Sequence, residues 1–147
     1  MKYSKFSIMM GISFIIMYIV MFLNVDQLSH YYTSTTRIYM ALLMVAPMAV
    51  VMMLMMGKMY PNRKTNMGII ITGIVVFIGT LIALRTQTPI EDVQYMKAMI
   101  PHHSSAILVS KEANIKDPEV RKLAEQIIQA QKKEISEMES LINKLEK

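Results

Sequence analysis

The first half of the chain is dominated by three apolar runs, at residues 6–23, 38–56 and 67–84, and none of them contains a charged residue. Each run is 18 or 19 residues long. A helix needs roughly 20 apolar residues to cross the hydrocarbon core, with about 17 as the lower limit. The pattern therefore predicts three transmembrane helices and a multi-pass membrane domain over residues 1–86.

The pattern changes after residue 86 to the three- and four-residue spacing of amphipathic helices. Thr88-Pro89 and Asp117-Pro118 each place a capping residue before a proline, and Glu91 would complete a capping box with Thr88. We expect one helix from this first start to about Ala113 and a second from Pro118 almost to the last residue. Residues 87–147 should therefore form an αα-hairpin, which makes the predicted fold all-α.

Two helices of this length bury too little surface to be stable alone. The hairpin should therefore pack against the membrane spans or pair with a second copy of the chain. We favour a homodimer, in which two hairpins complete a four-helix bundle.

The net charge of +5 lies entirely in residues 1–84, because the residues from 85 onward carry equal numbers of basic and acidic side chains. Basic residues occur before the first run and in the loop at residues 57–66, whereas the loop at 24–37 holds one Asp and one Arg. Basic loops stay in the cytoplasm. We expect a cell-membrane protein with a cytoplasmic N-terminus and an extracytoplasmic hairpin. The neutral hairpin lacks the basic face that nucleic-acid binding needs.

Methionine recurs along one face of the second span. The simpler interpretation is that the flexible thioethers fill space or face lipid. The alternative is a row of sulfur ligands that conducts Cu(I) along the helix. The stripe consists of Met40, Met44, Met48, Met52, Met56 and Met59.

Small residues four apart in the third span weakly indicate a close helix contact. The two pairs are Gly68 with Thr72 and Gly79 with Ala83.

Thioether and imidazole side chains cluster on the first hairpin helix, beside Pro101. Met96, Met99 and His103 recur at helical spacing, and His102 lies one turn from Met99. An antiparallel second helix would add a further methionine. Sulfur with imidazole suits Cu(I), and the chain has no cysteine to offer a thiolate. The candidate metal ligands are Met96, Met99, His102, His103 and Met138. The alternative is that the methionines are core residues and the histidines are incidental.

Three polar residues could support such a site from nearby. Asp92 lies one turn before Met96, and Gln131 interrupts the apolar stripe of the second helix next to Glu134. A polar group on a buried seam must find a partner or lose roughly 1–3 kcal/mol. Gln131 therefore either bonds a facing backbone group and fixes the register, or helps to hold the metal site.

The segment Met99-Ile-Pro-His-His103, followed by Leu123-Ala124, Ile127, Gln131, Glu134-Ile135 and Met138, resembles the bacterial domain-of-unknown-function family 305. The resemblance covers residues 91–145 and leaves out the three spans. It implies a ferritin-like fold and extracytoplasmic copper binding through Met and His. The chain departs from the family pattern at Ser104-Ser105, where Gln-Gly is usual, and at Val109, where a further Met is usual.

These observations favour a membrane-anchored copper-binding protein, acting in copper tolerance or in handover to other copper-handling proteins. The alternative is a non-metal structural or dimerisation module. We expect no enzyme, because no pair of carboxylates, phosphate loop or nucleophile–base pair is apparent along the chain.

Overall fold

The computed structural model describes residues 3–147, and within them it contains five α-helices, two short 3-10 helices and no strand. The all-α prediction is confirmed. The helices are α1 (Tyr3–Val20), α2 (Thr35–Met56), α3 (Arg63–Thr86), α4 (Asp92–Glu112) and α5 (Pro118–Leu145).

The chain divides into two compact units. The apolar unit contains the described residues up to Met21 together with Thr36–Pro89, which covers α1, nearly all of α2, and α3. The hairpin unit contains Phe22–Thr35 and Ile90–Lys147. The connection between α1 and α2 thus folds with α4 and α5, and we refer to Phe22–Thr35 as the docked segment.

The three helices of the apolar unit are each long and apolar enough to cross a membrane, as the hydropathy pattern predicted. A small core joins them around Phe6, Met53 and Tyr60. Large apolar side chains elsewhere on these helices stay exposed, for example Ile8 at 62% and Met55 at 80%. An apolar exterior of this extent is typical of helices surrounded by lipid.

The close contact between α2 and α3 lies at Gly73. A Cβ atom there would stand 2.7 Å from Cγ2 of Val50 and 3.3 Å from the carbonyl oxygen of Ala46. Gly68 and Gly79, for which the sequence pattern suggested a close contact, have no neighbouring atom within 4 Å of such a position. Within this chain the close contact of α3 is therefore made at another position, because spacing alone does not say which face of α3 meets α2.

The start of α4 differs from the predicted capping box. Glu91 is the N-cap residue and makes no side-chain cap hydrogen bond. The Thr88 hydroxyl instead lies 3.0 Å from Oγ1 of Thr86, at the end of α3. Gln87 adopts a left-handed φ of 53° and ends α3 by donating its backbone N–H to the carbonyls of Ala83 and Leu84. Thr88 therefore belongs to the end of α3.

The start of α5 is as predicted. Oδ1 of Asp117 accepts hydrogen bonds from the backbone N–H groups of Glu119 at 2.8 Å and Val120 at 3.0 Å. These bonds satisfy two of the donors that a helix start leaves free. Arg121 closes the turn by donating to the carbonyls of Ser110 and Ala113.

The core of the hairpin unit lies between α4 and α5. Its buried residues are Met96, Ile100, Ile107, Ile135 and Ile142. Tyr32 of the docked segment, Ile128 and Met138 pack against this cluster. The docked segment is therefore a third layer on the hairpin.

Candidate metal site on the hairpin

His103 and Glu134 join the middle of α4 to the middle of α5. Nε2 of His103 lies 2.7 Å from Oε2 of Glu134, and the His103 side chain is 11% exposed. Lys97 forms an ion pair with Glu146 near the other end of the helices. These two contacts fix α4 and α5 as antiparallel, with His103 level with Glu134.

Both ring nitrogens of His103 face hydrogen-bond acceptors. Nδ1 lies 2.9 Å from the carbonyl oxygen of Met99, and Nε2 faces the Glu134 carboxylate. A neutral imidazole has one donor and one acceptor, whereas the imidazolium has two donors. In either state, both ring nitrogens of His103 lie within hydrogen-bond distance of a protein oxygen, so neither nitrogen faces open space. His103 is thus held by protein on both sides.

Met96 is a core residue. It is 6% exposed and belongs to the cluster that contains Ile100 and Ile135. A thioether surrounded by aliphatic side chains fills space. Of the predicted ligands on α4, Met96 and His103 therefore point into the hairpin.

A second stripe on α4 points away from the core. His102 is exposed, Met99 and Ala106 are partly exposed, and Tyr95 and Val109 are 53% and 61% exposed. These positions are three or four apart and so share one side of the helix. The structure thus separates the two neighbouring histidines, with His103 inside and His102 outside.

The helix α5 carries a matching outward stripe with Glu134 at its centre. Leu123, Leu141 and Leu145 are 55%, 48% and 54% exposed. Because Glu134 reaches His103, this stripe adjoins the outward stripe of α4. The docked segment contacts the opposite side of both helices. We call the combined surface the open face. Its α5 part consists of Val120, Leu123, Ile127, Ala130, Glu134, Met138, Leu141 and Leu145.

Three of the predicted ligands border the open face: Met99, His102 and Met138. Met138 lies one turn after Glu134 on α5, and Met99 lies one turn before His103 on α4. Because the two helices are antiparallel and His103 is level with Glu134, the two thioethers also lie level with each other. Within residues 3–147 no group of three or more His, Cys, Asp or Glu side chains could hold a metal ion. A metal site on the hairpin would therefore depend on sulfur.

The predicted supporting residues behave differently from one another. Glu134 contacts His103, as described above. Gln131 is partly buried and makes no hydrogen bond within the described part of the chain, and Asp92 is exposed at the first residue of α4. Glu134 is the supporting residue that reaches a candidate ligand.

The docked segment binds α4 through two adjacent serines, Ser104 and Ser105. Oγ of Ser104 accepts the backbone N–H of Asp26 at 2.7 Å and lies 2.9 Å from Nδ1 of His30. Oγ of Ser105 accepts the side-chain amide of Asn24 at 2.6 Å. Lys111 pairs with Asp26 at 2.6 Å. The serines therefore have a structural role that no pattern in the sequence indicated.

The contact between Ser104 and His30 has the composition of a nucleophile and a base. Ser104 is fully buried, however, and its oxygen already accepts the Asp26 amide. A substrate could not reach this oxygen without displacement of the docked segment. The polar residues of the loop at 24–37 were the only signal in the sequence for this contact.

The methionine stripe of α2, which continues to Met59 in the short 3-10 helix that follows, lies mostly on the surface of the apolar unit. Met40, Met44, Met56 and Met59 are at least 36% exposed. Met52 packs against the core cluster, and the fully buried methionine of this helix is Met53, which lies beside the stripe. This placement is typical of side chains that pack or face lipid.

The comparisons with known proteins concern mainly the second half of the chain. Residues 80–147 match the family model described as a domain of unknown function, DUF305. Protein L153 of Acanthamoeba polyphaga mimivirus, described as uncharacterized, is 43% identical over 107 residues, which cover 71% of this chain and 68% of that protein. No solved structure matches the chain. The resemblance inferred from the Met-x-x-His-His helix is confirmed, and the chain belongs to the DUF305 family.

Proposed function

We propose that this protein is a membrane-anchored metal-binding protein whose hairpin unit lies outside the cytoplasm and binds Cu(I). The observation that carries the proposal is the open face, where Met99, His102 and Met138 border one surface around Glu134. Soft thioether ligands select Cu(I), and imidazole is a common ligand for copper.

The donor set fits a soft cation better than a hard one. The open face offers thioether sulfur and an imidazole but only the carboxylate of Glu134, whereas Mg²⁺ and Ca²⁺ are bound mainly through oxygen. Thioethers also suit an oxidising compartment, in which thiolates would be lost to disulfides. We therefore propose Met99, His102 and Met138 as the ligands. His103 would support the site from inside the hairpin through Glu134, whereas Met96 would fill the core without binding the metal.

The composition of the hairpin unit supports the proposed membrane topology. The docked segment follows α1 and the hairpin follows α3, and the two fold together in one unit. They must therefore lie on the same side of a membrane that all three apolar helices cross. The basic residues at the N-terminal end of the chain, and from Lys58 to the first turn of α3, favour the assignment of that side to the outside of the cytoplasm.

The proposed role is binding without catalysis, in copper tolerance or in handover to other copper-handling proteins at the cell membrane. A site near the surface suits handover, because an accepting protein can approach the metal directly.

Cu(I) competition titration of the full chain in lipid nanodiscs tests the proposal. Loss of a supporting contact typically weakens metal binding 10- to 100-fold. Met99→Leu and His102→Ala, which remove ligands, should each raise the Kd for Cu(I) at least about tenfold. Met96→Leu is the matched control, because it removes an equivalent thioether from the core with little change in volume. Equal effects of Met96→Leu and Met99→Leu would contradict the proposed ligand set.

A structural module that binds no metal is the second candidate. It is favoured by His103, whose two nitrogens are both satisfied by protein groups. On this alternative the parent chain would not compete for Cu(I) at all, and His102→Ala would change neither metal binding nor stability.

A further inference from the structure

We infer that the open face is the surface through which two copies of this chain associate, with a two-fold axis parallel to α4 and α5. The inference deepens the proposed function by naming the partner of the same surface. Association itself does not require the metal.

The open face is too apolar to be an ordinary solvated surface. Val109, Leu123 and Leu141 are each 48% or more exposed, and they recur with the spacing of a helix-packing seam on both helices. A pair of antiparallel helices that leaves such a seam uncovered can bury it against an identical pair and complete a four-helix bundle.

The polar groups at the centre of the face favour a second copy as its occupant. Oε2 of Glu134 is taken by His103, while the other carboxylate oxygen has no partner within residues 3–147, and the Glu134 side chain is 51% exposed. His102 lies at the same level on the neighbouring helix and carries a ring N–H. Each copy therefore presents one unused donor and one unused acceptor to the other.

The register of these groups selects the direction of the axis. With an axis parallel to the helices, α4 of one copy packs on α5 of the other at the same level. His102 then meets the partner's Glu134, and Met99 meets the partner's Met138. With an axis perpendicular to the helices, Glu134 would meet the partner's Glu134, and two carboxylates would be brought together without a donor. The first arrangement pairs donors with acceptors.

This arrangement has two further consequences. Both copies of α4 start at the same end of the bundle, and all neighbouring helices are antiparallel. The thioethers of Met99 and Met138 from both copies would come together in one layer, next to His102. The metal site would then be shared between the two copies.

Disulfide mapping in the full chain tests the inference, since the chain has no cysteine of its own. Chains carrying Val109→Cys and differently tagged chains carrying Ile127→Cys are mixed in nanodiscs and oxidised without added metal. The parallel axis predicts a mixed disulfide, because the two positions lie level on facing helices. Lys133→Cys is the control, as its side chain is 78% exposed on another side of α5.

Two outcomes of the mapping would overturn the inference. A disulfide between Val109→Cys and Tyr95→Cys chains would show the perpendicular axis. Cross-linking of Val109→Cys with Ile127→Cys no stronger than with the Lys133→Cys control would show that no second copy covers the face. In that case, shielding of a fluorescent label at Leu141→Cys by lipid would assign the face to the membrane surface.

The oligomeric state of a charged variant provides an independent test. Leu141→Lys should weaken self-association at least about tenfold, because a buried lysine would replace apolar contact, while helix content stays unchanged. A parent chain that is monomeric and still binds Cu(I) would overturn this inference and leave the proposed function intact. A dimeric parent chain that binds no Cu(I) would overturn the proposed function and leave this inference intact.

Discussion

At the scale of single residues, the main result is the different surroundings of the two adjacent histidines. His103 is 8% exposed and bonded through both nitrogens, whereas His102 is exposed on the open face. The motif predicts that both are ligands, because local spacing does not tell which neighbours each side chain meets. The partner of His103, Glu134, lies 31 residues away, on another helix.

Tyr32 should make the hairpin unit sensitive to alkaline pH. Burial against the hairpin core raises its pKa above the ordinary 10.0; the Glu139 and Glu146 carboxylates add to this shift, and Lys97 opposes it. The folded state favours the neutral phenol of Tyr32 over the ionised form. The stabilisation that Tyr32 provides is therefore complete below pH 10.0 and is lost as pH rises through the raised pKa.

Tyr32→Phe should therefore flatten the alkaline decline of the free energy of unfolding while keeping the packing. Chemical denaturation of the parent and the variant across this pH range measures the difference. Identical declines in the two proteins would show that Tyr32 is not responsible.

At the scale of helices, most of the fold follows from local signals. The three apolar runs, the Asp117 cap and the antiparallel hairpin were all predictable from spacing and capping chemistry. The docked segment was not, because its contact with Ser104 joins residues 78 positions apart and leaves no periodic trace in either stretch. The identity of the packed glycine in α3 was missed for a similar reason, since it depends on how α3 is rotated towards α2.

Ser104→Ala should release the docked segment from α4. The change removes the acceptor of the Asp26 amide and the partner of His30 in a fully buried place, which typically costs about 1–3 kcal/mol. Hydrogen exchange should show loss of amide protection within Phe22–Thr35, with α5 little changed. Ser105→Ala is the control, because its bond to Asn24 is exposed, and equal loss of protection in the two variants would contradict the assigned role of Ser104.

Gly73→Ala should destabilise the apolar unit by about 1–3 kcal/mol, the usual range for overpacking. The new methyl group would meet Val50 and the Ala46 carbonyl at distances that force α2 and α3 apart. Thermal unfolding in detergent measures the loss. Gly68→Ala provides the comparison because open space surrounds that position; a larger loss for Gly68→Ala would show that the helices pack differently.

At the scale of the whole molecule, the chain divides into an apolar unit, whose three helices are long and apolar enough to cross a membrane, and a hairpin unit, which contains the proposed metal site. The sequence located both halves because hydropathy and charge change near residue 86. It placed four of the five candidate ligands on one helix but could not separate core sulfur from surface sulfur. That distinction depends on burial: Met96 is 6% exposed and Met99 is partly exposed, although they are one turn apart.

The membrane topology can be tested with single cysteines and a label that does not cross membranes. Asn114→Cys, in the turn between α4 and α5, should be labelled in intact cells. Lys58→Cys, in the basic loop, should be labelled only after lysis. The reverse pattern would place the hairpin unit in the cytoplasm. The argument that thioether ligands suit an oxidising compartment would then no longer apply.

X-ray absorption at the copper edge, on the full chain loaded with Cu(I) and washed with chelator, would identify the atoms that bind the metal. The proposed ligand set predicts sulfur and nitrogen as the nearest neighbours of copper, and loss of the nitrogen contribution in His102→Ala. A shell of nitrogen and oxygen without sulfur, or a chain that retains no copper after the wash, would contradict it.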